Sequence, residues 1–197
     1  MKKKLLMTLV LSTCWCVATR AQMIAANIDA LWAATMSPSA GLEMVVGEKS
    51  TVGLNVSYMG KPYGMNIKLF EVQPEYRYYF SGRPMFREFI GIGAIGGTHN
   101  ITWKGKVYDG MNMGLGMTFG YVLPLGKRIN LDFHAGFGAI YYNHKEYFTG
   151  DQYETDSAVE GVDHNNASGY YLLPTRFGVS FTYILKSFNG RQVMGIR

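Results

Sequence analysis

From residue 23 to residue 186, large apolar side chains fall on every second position, with Gly, Ser, Thr, Asn or a charged residue between them. Phe119, Tyr121 and Leu123 keep this rhythm, as do Phe133, Phe137 and Tyr141, and Phe177, Val179, Phe181 and Tyr183. A period of two sends alternate side chains to opposite faces of a β-strand. Eight segments carry it: about 23–34, 40–47, 51–59, 67–80, 88–98, 111–124, 129–144 and 170–186. No helix is expected, because no segment shows a helical period.

The connections alternate in length. The second, fourth and sixth read as tight turns at Gly47-Glu48-Lys49-Ser50, Ser81-Gly82-Arg83-Pro84 and Pro124-Leu125-Gly126-Lys127. The third, fifth and seventh are longer, at 60–66, 99–110 and 145–169, and the first, around Pro38, is short. Outer-membrane barrels have short periplasmic turns and longer external loops. The expected fold is therefore all-β, an eight-stranded antiparallel up-and-down transmembrane β-barrel.

Charge decides which face meets lipid. Ile24, Ile28, Trp32, Leu42, Leu54, Ile92, Leu115 and Phe133 share a face that carries no charged residue. A Lys or Arg there would cost about 2–4 kcal/mol at the bilayer midplane. The opposite face carries Asp29, Glu43, Glu71, Glu75, Arg77, Asp132, His134 and Arg176, interleaved with glycines such as Gly91, Gly93, Gly136 and Gly138. These charges are expected to face the lumen as a structural ion network, Asp29 pairing with Arg176 and Arg77 with Glu43, Glu71 or Glu75. The competing reading is a gate for a small solute or protons. Eight strands leave an interior just filled by side chains, which favours the network. Pro74 cannot donate a ladder hydrogen bond, so a bulge is expected there, leaving the facing of Glu71 and Glu75 open. The inverse arrangement, a lipocalin-like barrel with its greasy face inside, would need an outer face rich in Lys and Glu, and these strands lack one.

Composition adds a location. Lys2, Lys3 and Lys4 precede an apolar stretch from Leu5 to Val17, with Thr19 and Ala21 before a cleavage point at Gln22. Residues 1–21 read as an export signal, followed by the barrel at 22–186 and a tail at 187–197. A lipoprotein reading would use Cys14, but Thr13 is bulky for such a site. Both cysteines, Cys14 and Cys16, lie in the leader, so the mature chain has no disulfide. Four of the 19 basic residues leave with the signal while all 14 acidic ones stay, so 15 basic residues face 14 acidic ones. That balance removes the argument for a nucleic-acid partner. The expected location is the outer membrane, with membrane lipid as the first partner.

The segment Val72-Gln73-Pro74-Glu75-Tyr76-Arg77-Tyr78-Tyr79-Phe80 resembles the most recognisable stretch of a family of small Bacteroidota outer-membrane proteins catalogued as domain of unknown function 3575. Further matches follow in order: Asn27, Pro38 to Glu43, Ala94-Ile95-Gly96-Gly97, Arg128 to Gly138, Pro174-Thr175-Arg176, and Tyr183-Ile184-Leu185-Lys186. Leu173 stands where the pattern has Gly, and the tail runs past the usual end at Lys186. The resemblance implies an exported eight-stranded barrel with no established activity. It also implies an association with fimbrial-type surface assembly.

Candidate chemistry is sparse. Gly91-Ile92-Gly93-Ala94-Ile95-Gly96 matches a dinucleotide pattern literally, but it lies within a strand, and no helix follows to hold phosphate. The four histidines, His99, His134, His144 and His164, have no zinc-ligand spacing, and no Gly-x-Ser-x-Gly elbow occurs. No catalytic, cofactor or metal site is expected. Loop 145–169 carries Glu146, Asp151, Glu154, Asp156, Glu160 and Asp163, in no calcium-loop spacing. It is the candidate external surface for a surface protein or lipopolysaccharide. The leading expectation is a non-enzymatic barrel with a structural or surface-interaction role. The alternatives are a narrow transport barrel for small or apolar solutes and, third, a membrane-embedded lipid-modifying enzyme using His144.

Overall fold

The computed structural model describes residues 23–34, 36–148 and 165–186, which leaves the expected export signal, the tail and most of the long acidic loop outside the described residues. Eight strands follow in chain order: β1 (Ile24–Asp29), β2 (Ser39–Val45), β3 (Ser50–Gly60), β4 (Ile67–Tyr79), β5 (Arg87–Trp103), β6 (Lys106–Pro124), β7 (Ile129–Phe148) and β8 (Asn165–Lys186). Each pairs antiparallel with the next, and β8 pairs with β1, so one sheet closes into a barrel. Closure leaves no free sheet edge where all eight strands are present.

The pairing is staggered. From Ala25, successive partners run through Glu43, Gly53, Glu75, Gly93, Gly116 and Gly138 to Leu173. Ala25 itself pairs with Ile184, eleven positions further along β8 than Leu173. Such a stagger tilts the strands steeply against the barrel axis. The end holding Ile24 and Lys186, which are paired, is called the lower end below.

Local chemistry corrects the expected bounds in four places. The first segment does not stay extended to 34: β1 stops at Asp29 and a short helix, α1 (Ala30–Ala34), follows and carries Trp32. Asp29 caps it, its Oδ1 accepting from the backbone N–H of Leu31 at 2.9 Å and of Trp32 at 3.2 Å. The fifth connection, expected as the loop 99–110, is only Lys104 and Gly105, with φ of 49° and 81°. Two left-handed residues are what a type I′ hairpin needs to match strand twist. The fourth connection is longer than a tight turn because β4 ends at Tyr79 and β5 starts at Arg87, so connection length does not alternate strictly. The long acidic segment is shortened from both sides, since β7 runs to Phe148 and β8 begins at Asn165.

Pro74 does not bulge the sheet. β4 keeps one register with β3 throughout, and the β4–β5 pairing has the same register on both sides of Gln73 and Pro74, where the ladder lapses. Pro74 pairs with outward Leu54 and faces outward with it, and the lapse absorbs its missing N–H. The register shifts lie in β8 instead: at its lower end Ile24 pairs with Lys186 and Ala25 with Ile184, leaving Leu185 extra. Further up, Gly136 pairs with Arg176 and Phe137 with Pro174, leaving Thr175 extra. Its side chain turns inward, and a Cβ at Gly116, Gly136 or Gly138 would press against it.

The outer face is apolar: Leu42, Leu54, Ile92, Leu115, Phe137 and Phe177 are exposed there. A polar row, Lys68, Asn100, Asp109 and Lys145, crosses β4 to β7 at the upper limit of that belt. The interior is polar in its lower half, above an apolar floor of Ala25, Val45, Met85 and Ile184.

Candidate functional site

All eight lumen residues named from the alternation face inward, and seven of them form one connected network. Arg77 sits at its centre, 2 % exposed. Its Nε donates to Glu75 Oε2 at 2.7 Å, and its Nη1 donates to Asp132 Oδ2 at 2.6 Å and to Glu43 Oε2 at 3.4 Å. The guanidinium lies over the Phe89 ring, 4.4 Å from its centroid. Glu43 also accepts from Thr51 Oγ1 at 2.6 Å and from the Tyr79 hydroxyl at 2.8 Å. Arg176 reaches across from β8 to Glu75 Oε2 at 2.8 Å. With the Asn55 nitrogen turned to Asn27 Oδ1 (2.7 Å), the Asn55 oxygen accepts from both Nη atoms of Arg176 at 3.2 Å.

His134 joins the network to β1. Its Nε2 is 3.2 Å from Asp29 Oδ2 and its Nδ1 is 3.6 Å from Asp132 Oδ1. Asp29 Oδ2 also accepts from Ser180 Oγ at 3.3 Å. Glycine makes the packing possible where charges approach backbone: a Cβ at Gly178 would strike the Asp29 carboxylate, and one at Gly91 would come within 2.7 Å of Glu75 Oε1.

Two expected pairings are corrected. Asp29 does not meet Arg176, because β1 ends opposite Ser180 and Arg176 lies further up β8. Glu71 does not pair with Arg77. It lies above the network, taking hydrogen bonds from Gln73 Nε2 at 3.5 Å and from Asn112. No ion pair found among the described residues includes it. Tyr79 and Thr51 are partners that the pattern of charges does not pick out. Parity does, since Tyr79 shares the inward register of Glu71, Glu75 and Arg77.

Beside the network lies a cavity of about 20 Å³ lined by Gln73, Gly93, Thr175 and Arg176 among others. That is room for about one water.

A second cluster occupies the upper inner wall. His144 stacks on Tyr142 with centroids 5.0 Å apart, and Tyr142 stacks on Tyr171 at 4.5 Å. His99 and Tyr108 meet His144 edge-on at 5.8 and 5.6 Å. His144 Nε2 lies 3.0 Å from Glu146 Oε1, and Glu146 also pairs with Lys106. Lys106 and Glu146 lie beyond the polar row. The hydrogen bond from Lys106, then that from His144, holds the Glu146 carboxyl below its ordinary range; the same bond raises the Lys106 ammonium above its own. Among the described residues, the hydrogen-bond partner found for His144 is the Glu146 carboxylate. Of the acidic loop residues, Glu146 is on β7, and Asp151, Glu154, Asp156, Glu160 and Asp163 lie outside the described residues. Among the described residues, no group of three or more His, Cys, Asp and Glu side chains is placed to hold a metal ion.

The model of the DUF3575 family, proteins of unknown function, matches residues 5–185. The chain belongs to this family. The match spans the strands from β1 to β8, so the charged network and the aromatic upper wall both lie within the DUF3575 region. No curated protein and no solved structure matches the chain.

Proposed function

We propose that this DUF3575 chain is an outer-membrane β-barrel, exported by a cleaved leader, with a closed lumen and a structural or surface-interaction role rather than a catalytic one. One observation carries the reading: the barrel is inverted relative to a soluble protein, with charge inside and hydrocarbon outside. Phe177 is 67 % exposed and Leu115 68 %, whereas Arg77, Asp132 and His134 are buried. Soluble monomers rarely present so continuous an apolar surface. A bilayer removes its cost, and the polar row at Lys68, Asn100, Asp109 and Lys145 then lies at the external headgroups. The basic lower turns, with Lys49, Arg83, Arg87, Lys127 and Arg128, face the periplasm.

The filled lower half supports a non-conducting barrel over the transport alternative. An apolar floor beneath a network of fixed ion pairs offers no continuous water path. Specific contacts with a surface protein or lipopolysaccharide then fall to the segment between β7 and β8. The test is reconstitution. Purified mature chain is expected to refold into phosphatidylcholine vesicles, resist carbonate extraction, and give no single-channel steps in a planar bilayer. A chain that stays monomeric in detergent-free buffer, and does not partition into vesicles, refutes the membrane reading. Deleting 149–164 should leave refolding intact and remove partner capture on intact cells.

A further inference from the structure

The wall of the barrel is not equally tall all round. β1 and β2 have 6 and 7 residues, against 17, 19, 20 and 22 for β5, β6, β7 and β8. β8 bonds to β1 only from Ser180 to Lys186. Above Ser180 it has β7 on one side and, among the described residues, no strand on the other, and the short helix α1 packs near that edge. The missing wall is a notch in the side of the barrel.

The notch starts within the apolar belt. β1 stops opposite Ser180, so the uncovered edge of β8 begins at Val179 and runs past outward Phe177, which is 67 % exposed. Behind the notch the inner wall is apolar too, formed by Met59, Leu69, Ile140, Tyr142, Tyr171 and Leu173. Leu173 and Tyr171 face inward yet remain 44 % and 51 % exposed, and Leu172 beside them is 82 % exposed. Apolar side chains therefore line the gap on its outer and inner faces, with the N–H and C=O groups of the β8 edge between them. At its base lies Glu71, 7 % exposed and outside every ion pair found among the described residues. Beside it, Asn112 Oδ1 is buried and accepts no hydrogen bond from the described residues. Gly97, between them in the sheet, leaves both side chains free to lean over β5.

We propose that the notch admits, sideways from the bilayer, a single-chain amphiphile whose head group carries N–H or O–H donors. Its hydrocarbon lies along Leu69 and Leu173 and out through the gap. Its head donates to Glu71 and to Asn112 Oδ1. Two facts select this occupant: apolar side chains line the gap from the outer belt inward, and at its polar end lie a carboxyl with no cation beside it among the described residues and an amide oxygen that accepts no hydrogen bond there. The inference rests on the membrane reading above.

The test is photolabelling of the full mature chain in phosphatidylcholine vesicles with dodecylamine carrying a chain diazirine, against dodecanoic acid carrying the same group. Mass spectrometry then locates the adducts. With the amine, adducts are expected on inward Leu69, Tyr171 and Leu173 as well as outward Leu115 and Phe177. The acid should label the inner wall about tenfold less, the ratio that about 1.4 kcal/mol of charge preference gives. Glu71→Gln narrows that ratio, and Leu173→Trp, which fills the gap, removes inner adducts for both probes. Adducts confined to Leu115, Phe177 and other outward positions overturn the inference and leave the membrane reading standing. Absence of adducts even on the outer belt overturns both. The parent chain alone decides between these outcomes if either variant does not refold.

Discussion

The lower and upper halves of the barrel interior are built on the same sheet and differ in almost every physical respect. Below, eight strands surround Arg77, Glu75, Glu43, Asp132, His134, Asp29 and Arg176, and these side chains are largely withdrawn from solvent. Above, β1 and β2 have stopped, and inward Tyr171 and Leu173 keep about half their surface exposed. Buried charges need partners on every side, because the effective penalty for an unpaired ion is several kcal/mol. A complete ring supplies that surround. Where the ring is incomplete, the inner wall carries Met, Leu, Ile and Tyr with His99 and His144 packed among them, and these need fewer partners than fixed charges. Buried charge thus follows closure of the wall, and Glu71, at the boundary between the halves, is a lumen carboxylate left outside the described ion pairs.

If the ion network depends on closure, breaking it should cost far more than trimming the upper wall. The largest effect is expected for Arg77→Leu, which takes a cation from three carboxylates at once. Removing one partner of a buried pair costs about 3–5 kcal/mol. Urea unfolding in detergent micelles measures it, and an unchanged midpoint would mean that the network contributes nothing to stability.

Next comes Arg176→Ala, which leaves Glu75 with Arg77 as a remaining cation and should cost about 2–3 kcal/mol. Planar-bilayer recordings should stay silent, because the apolar floor and Arg77 still close the lumen. New conductance steps would place Arg176 in a gate. Coupling to Glu75 sharpens the point: Glu75→Gln combined with Arg176→Ala should destabilise by less than the two single changes added together. In the upper half, Leu173→Ala should cost under about 1 kcal/mol, since an exposed side chain leaves little cavity when truncated. A penalty matching that of Arg176→Ala would mean that the upper wall is packed as tightly as the lower network.

The facing of the charged residues is legible because it needs only a period of two, which is why Asp29, Glu43, Glu75, Arg77, Asp132, His134 and Arg176 all point where the alternation puts them. Their partners are not legible, because partner choice depends on stagger. A row that starts at Ala25 arrives at Leu173, and no local pattern encodes that climb. It carries Arg176 past the end of β1 to Glu75 and leaves His134 opposite Asp29. Turn chemistry misleads for a different reason. Lys104-Gly105 makes a two-residue hairpin without the Asn or Asp that usually marks one. A missing donor points to a bulge at Pro74, yet a lapse of two pairs suffices there, and the extra residues are Thr175 and Leu185, which nothing in their own chemistry marks.

The smallest expected effect lies at the rim, where Lys106 and Glu146 stand above both halves and outside the buried network. The bond from Lys106, then that from His144, holds the Glu146 carboxyl below its ordinary range. A carboxyl depressed on folding stabilises the folded state above its unfolded value, about pH 4.3. That contribution is lost as the pH falls through the depressed value. Glu146→Gln should therefore lower the unfolding midpoint at neutral pH by a small amount, and the gap to the parent should close on acidification. Comparing the two chains at each pH cancels the titration of the carboxylates below. A gap that widens toward acid would mean that Glu146 is held in its neutral form, and the rim would then resemble a buried carboxyl site rather than a solvated ion pair.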